Sequence, residues 1–211
     1  MASRKQNGFT LLELMIVVSF TLIMAGVSFV TLQPMLRDSH VNTAYDTTLM
    51  VLRNTRNLAI TQGHEYYVNF NPAGFPAGTI QVQYQPPAVG GGIAPPIQQV
   101  ITYQIPTDIS FAVQAGFPAA APDGFGAGAT AIDFGQGLAG GPFNYVIFMP
   151  DGSSQSGVNG GVGSYNSGVV YMSRNGDTIY RSRAVTVWGA TGRIRGWRLV
   201  QQGGAPIWVQ Q

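Results

Sequence analysis

The chain has no cysteine, which excludes disulfide staples and thiolate metal sites and leaves its compartment open. Histidine is nearly as scarce. His40 and His64 stand alone, with no second His or Cys at ligand spacing, and both are expected to be solvated helix residues. Charged residues make up 9% of the chain, against about a quarter in an ordinary globular protein. No Lys or Arg occurs from Asn57 to Ser173. Ser153, Ser154 and Ser156 sit in a glycine-rich stretch without a nucleophile elbow or a paired base. Gly90-Gly91-Gly92 is followed by neither a lysine nor a helix pattern, so it is no phosphate loop. Asp133 and Asp151 read as carboxylates that satisfy turn backbone. These absences leave no catalytic residue, no metal site and no cofactor to expect, and point away from an enzyme.

What the chain does have is one long apolar run. Phe9 to Leu32 is broken by a single charge, Glu13. As a helix those 24 residues would reach roughly 36 Å, enough for the ~30 Å hydrocarbon core. A carboxylate inside such a span costs about 2.5 to 3.5 kcal/mol near the bilayer centre, so it asks for a partner. Read plainly, the run is a signal anchor whose Glu13 reaches for the headgroups. The flanks argue for more than that. Met1 to Asn7 is short, polar and basic through Arg4 and Lys5, yet no small-x-small cleavage site follows the apolar run. Gly8 precedes it instead.

Gly8-Phe9-Thr10-Leu11-Leu12-Glu13 resembles, position by position, the prepilin signature of the type IV pilin and type II secretion pseudopilin superfamily. The resemblance implies cleavage by a prepilin peptidase between Gly8 and Phe9 and methylation of the new Phe9 amine. It also implies a bacterial inner-membrane protein with a single transmembrane helix and its β domain in the periplasm or exterior, later drawn into a pilus or pseudopilus. Its implied partners are other pilin or pseudopilin subunits, the inner-membrane assembly platform and, before assembly, membrane lipid. Glu13 would then face the ammonium created at Phe9 of a neighbour. Such a pair is strong in low dielectric and costly when broken, so it can set the register of assembly. One departure is Pro34, because many major pilins place a helix-bending proline where Val30 stands here.

The organisation expected is a leader over 1–8, a hydrophobic transmembrane and assembly helix over 9–33, its amphipathic continuation over 34–63, and a β-rich domain over 64–211. The formal charge of +2 includes Arg4 and Lys5 among its eleven basic residues, so beyond the leader nine basic oppose nine acidic residues. Val41, Ala44, Tyr45, Thr48, Leu49, Leu52 and Ala59 recur at helical spacing and define one apolar stripe, with Gly63 as the stop. Beyond it the period changes to two. Strands are expected at Glu65–Phe70, Thr79–Gln85, Gln98–Ile105, Ile109–Val113 and Asn144–Met149, and around Ala131–Phe134. The Gly, Ala and Pro-rich stretch near 115–141 reads as a surface insertion. Gly168–Ser173 is expected to pair with Asp177–Arg183 around Asn175-Gly176, Ala184–Trp188 with Arg193–Val200 around the 189–192 turn, and Ile207 to Val209 to close the sheet. The fold class is therefore α+β and pilin-like, a long N-terminal helix, its first half transmembrane, packed on an antiparallel β-sheet domain.

Val146 to Gly152 and Thr191-Gly192-Arg193-Ile194-Arg195 resemble the GspH/FimT branch of minor pilins and pseudopilins. That likeness implies a minor structural subunit of a type II secretion pseudopilus or a type IV pilus. In some FimT-like minor pilins a Gly-Arg-x-Arg motif at this place contributes to DNA capture, and Gly192 to Arg195 matches it. Arg174, Arg181, Arg183, Arg193, Arg195 and Arg198 fall within 25 residues. In a strand, Arg193, Arg195 and Trp197 share a face with the two arginines about 7 Å apart, a pitch suited to phosphates of a single strand with a base stacked on Trp197. The residues assigned to DNA on that reading are Arg181, Arg183, Arg193, Arg195, Trp197 and Arg198. The competing account is an edge strand kept from aggregating by its charges, with salt bridges to neighbouring subunits.

Overall fold

In a computed structural model of the chain the described residues are 9–84, 86, 98–125, 130–136, 138, 141–155 and 163–211, with backbone only at 30, 31, 33 and 34. Gly8, Ser156 and Gly90 to Gly92 lie outside them. The chain is α+β. One helix, α1 (Leu11–Gln62), precedes an all-antiparallel β region. By its contacts the chain divides into two compact units, Met1–Ser39 and His40–Gln211.

In the first unit Leu11–Phe29 is long and apolar enough to cross a membrane and buries nothing within the chain. Ser19, Thr21 and Ser28 turn their hydroxyls onto Met15, Val18 and Met24 carbonyls of the preceding turn, which hides their polarity inside the helix.

In the second unit α1 buries one face. All seven stripe residues are buried, and Val51 and Thr55 join them. Thr48 and Thr55 tolerate burial because their hydroxyls donate to the Ala44 and Val51 carbonyls. Gly63 ends the helix with φ +70° and its N–H on the Ala59 carbonyl, the left-handed stop that glycine adopts without strain.

Two five-stranded sheets follow, where one sheet is expected from the sequence. The first has the order β3-β2-β1-β5-β6 and contains β1 (Tyr66–Phe70), β2 (Thr79–Tyr84), β3 (Gln98–Gln104), β5 (Tyr145–Phe148) and β6 (Ser154–Gln155). The second has the order β10-β9-β8-β7-β4 and contains β4 (Ile132–Gln136), β7 (Ser167–Met172), β8 (Arg183–Trp188), β9 (Arg193–Gln202) and β10 (Ala205–Gln210). Residues of both sheets and of the α1 stripe form one core that includes Leu52, Phe70, Ile80, Phe134, Phe148 and Val185. A fully buried side chain such as Leu52, 0% exposed, contributes about 1.5–3 kcal/mol. The opposite face of the second sheet carries a smaller cluster of Val169, Tyr171, Ala184, Trp197 and Trp208, covered by Val113, Phe117 and Phe125.

Three local expectations are corrected. Ile109–Val113 is not a strand: Ser110 makes an isolated bridge to Ser173, and Ile109 and Phe111 are buried by packing alone. Asp177–Arg183 does not pair with β7; that partner is β8. Asp177 instead accepts from the Thr178 N–H at 2.8 Å and the Arg181 guanidinium at 2.7 Å, local bonds that favour the short 3-10 turn Ile179–Arg181 over a ladder. The turn before it closes from Asp177 N–H to the Arg174 carbonyl, with Gly176 alone at positive φ, so it is not the mirror-image hairpin turn that Asn-Gly suggests. Third, the stretch near 115–141 is no mere surface insertion over its described residues. It supplies β4, the fully buried Phe134 and the covering Phe117 and Phe125. Gly168 shows how tightly β4 sits on β7, since a Cβ there would lie 2.0 Å from the Asp133 carbonyl oxygen.

Candidate functional site

At the N-terminus, Phe9 and Thr10 precede the helix, and Phe9 is 80% exposed. Thr10 acts as its cap: its Oγ1 accepts the Glu13 N–H at 3.3 Å and its carbonyl the Leu14 N–H at 3.2 Å. Thr10-x-x-Glu13 is the spacing of a capping box, a signal that the sequence offered and that the search for an ion partner passed over. Glu13 is exposed in the first turn, where a negative charge also suits the helix dipole. Among the described residues no cation lies within ion-pair distance of it.

This segment is matched by a known protein family. Residues 3–29 match the prokaryotic N-terminal methylation motif. The chain begins as a type IV pilin-like protein. Prepilin peptidase processing and assembly with other pilins follow from that motif, as does a structural part, and the apolar helix Leu11–Phe29 fits an inner-membrane anchor. The motif covers the N-terminal segment alone; no curated protein matches the chain, and no solved structure does.

The arginine-rich region is placed very differently from the expected basic edge. β8 and β9 are interior strands of the second sheet, whose edges are β4 and β10. Arg193, Arg195 and Trp197 do alternate onto one face, in register with Trp188, Thr186 and Ala184. That face is the covered one. Trp197 packs in the smaller cluster and donates its Nε1–H to Thr186 Oγ1 at 3.0 Å. Arg195 pairs with Asp123, whose side chain is 4% exposed and whose φ is +55°. Asp123 also accepts the Thr186 hydroxyl, so a single carboxylate on the covering segment holds two strands. Arg183 is buried and donates to Asn42 Oδ1 and the Arg181 and Ser182 carbonyls. Arg181 pairs with Asp177. Arg198 is exposed on the other face, and Arg193 is exposed beside the 189–192 turn. The aromatic that remains accessible near Arg193 is Trp188, 39% exposed, rather than Trp197.

Two residues take parts that the sequence did not assign to them. Arg56 donates from Nε to the Gly152 carbonyl and from Nη2 to the Thr191 carbonyl, both at 3.0 Å, tying α1 to two turns. Its spacing of three from Arg53 was the visible signal. His40 is no merely solvated residue: its Nδ1 lies 2.9 Å from Asp108 Oδ1, and Asp108 Oδ2 lies 3.3 Å from Arg174 Nε. Burial pushes the Asp108 carboxyl up, but the His40 hydrogen bond, its own backbone N–H and the charges of His40 and Arg174 together hold it below the usual value. A carboxylate depressed on folding contributes stability that is present above its unfolded pKa and lost as pH falls through the folded one. The thermal stability of the full chain in detergent should therefore fall on acidification below about pH 4. Asp108→Asn should flatten that acid limb; an unchanged limb would show that the pair carries no acid-side stability. Asp151 satisfies turn backbone as expected, accepting the Ser153 N–H at 2.8 Å; Asp133 accepts the Gly135 N–H at 2.8 Å from within β4 instead of a turn.

Proposed function

We propose that this chain is a minor structural subunit of the GspH/FimT type, cut between Gly8 and Phe9, methylated at Phe9 and assembled through α1 into a type II secretion pseudopilus or type IV pilus. The observation that carries the proposal is the methylation motif over residues 3–29 standing on a helix that runs on to Gln62 and leads into a β-rich unit. In the membrane the apolar side chains of Leu11–Phe29 have lipid to cover them. In a bundle of subunits they have each other, and Glu13 then meets the Phe9 ammonium of a neighbour. The two charges stabilise one another in low dielectric, and either alone opposes desolvation. A subunit out of register leaves both unpaired, so the pair selects one assembly geometry. A tether that never assembles is the competing class, and the mass of the mature N-terminus separates the two.

A second reading, DNA held by the C-terminal arginines, keeps Arg193 beside the exposed Trp188 as its support. Arg181, Arg183 and Arg195 are already bound within the chain. A salt-sensitive retention of single-stranded oligonucleotide that disappears in Arg193→Ala would favour it.

A further inference from the structure

Arg53, Arg56 and Arg193 line one open cavity of about 390 Å³ whose other walls include Asn57, Thr191 and Ile194. No carboxylate lines it, and among the described residues none of the three arginines has a carboxylate within ion-pair distance. Arg56 cannot swing away, because the Gly152 and Thr191 carbonyls hold it. The turn closes on it only through Gly192, at φ +58°, where a Cβ would lie 2.0 Å from the Gly152 carbonyl oxygen. The cavity is thus a cationic socket, fixed at Arg56, with spare donors and no acid of its own.

The acid that fits stands on the same helix. Asp46 is exposed, has no ion-pair partner among the described residues, and precedes Arg53 by seven residues. Seven residues are two turns, which puts both side chains on one face of α1 about 10.5 Å apart along the axis, too far to pair within one chain. Met50, 43% exposed, lies on that face between them. Two parallel copies shifted by two turns bring Asp46 of one to the socket of the other. The contact is head-to-tail, so it repeats along a filament. We infer that the Arg53, Arg56 and Arg193 socket receives Asp46 of an adjacent copy of this chain. The inference rests on the assembly reading and adds its second ionic register. Nucleic acid fits less well, because no aromatic ring lines the cavity and the nine basic and nine acidic residues beyond the leader give no net field to draw in a polyanion.

The absence of cysteine makes the test clean. Full-length chain carrying Asp46→Cys and Arg53→Cys, expressed with a prepilin peptidase and assembly machinery, is oxidised beside a control carrying Leu12→Cys and Ile16→Cys. Two turns exceed the reach of an intrachain disulfide, so a ladder of covalent multimers from the first pair reports adjacent copies. The ladder is expected from both pairs. Asp46→Arg and Arg53→Asp should each lower recovered filament about tenfold, and the double exchange should restore it. A ladder from the control alone, with no restoration, overturns the socket and leaves assembly standing. No ladder from either pair, with no filament recovered from wild type, overturns assembly and the socket together. Salt-sensitive retention of a single-stranded oligonucleotide by wild type, lost in Arg53→Asp and without an Asp46–Arg53 ladder, would assign the cavity to phosphodiesters and overturn the inference.

Discussion

Glu13→Gln is expected to lower incorporation into filaments at least tenfold while leaving cleavage after Gly8 intact. Glutamine keeps the hydrogen-bonding shape of the first turn and removes only the charge, so the loss would measure the ion pair rather than the cap. Breaking one partner of a desolvated pair costs about 3–5 kcal/mol, and even a third to a half of that is a factor of ten. Glu13→Ala should do the same and add a smaller capping loss of about 0.5–1 kcal/mol. Quantifying subunit in sheared filaments against subunit in membrane reads the effect. Undiminished incorporation of Glu13→Gln would remove the role given to Glu13, and accumulation of uncut chain would place the residue in peptidase recognition instead.

Arg195→Ala is expected to destabilise the β-rich unit by about 3–5 kcal/mol, because it strands a buried carboxylate. Asp123 is 4% exposed at its side chain, and its backbone sits at φ +55°, a conformation that a non-glycine residue holds only when its surroundings insist on it. Losing the guanidinium leaves the Asp123 charge with only the Thr186 hydroxyl and loosens the segment that carries Phe117 and Phe125 over Trp197. At roughly 2–4 °C per kcal/mol for a unit of this size, the midpoint should fall by roughly 6–20 °C. Arg198→Ala, at an exposed residue of the same strand, should stay within about 0.5 kcal/mol. Equal stability of the two variants in urea unfolding would contradict the latch. If Arg195→Ala also lost oligonucleotide binding without losing stability, the arginine would belong to DNA after all.

The N-terminal segment was legible because its signals are local. Gly8 to Glu13 is a contiguous pattern, and the helical stripe from Val41 to Ala59 repeats at fixed spacing, so neither depends on what the rest of the chain does. The hairpin β8–β9 and the edge strand β10 were legible for a similar reason, since alternation and a four-residue turn bracket them. The division into two sheets was not, because β5 follows β4 in sequence but pairs with β1 in the other sheet. Nothing in the residues between them announces the change.

The arginines illustrate the limit more sharply. Counting charges showed six arginines near one Asp177, and a basic face followed. Their partners were distant in sequence: Asp108 for Arg174, Asp123 for Arg195 and Asn42 for Arg183. Alternation placed Arg193, Arg195 and Trp197 on one face correctly, yet could not show that Val113 to Phe125 lies over it. Asp123 could be seen only as one acid in a glycine-rich stretch. Arg53 and Arg193, neither with a carboxylate partner among the described residues, share a cavity although 140 positions separate them.

The most direct test of the account is the intact mass of the mature chain isolated from the membrane of cells that contain a prepilin peptidase. The account predicts a chain that begins at Phe9 and carries one added methyl group on its α-amine. A chain that still begins at Met1, or one cut at Phe9 without the methyl group, would contradict it.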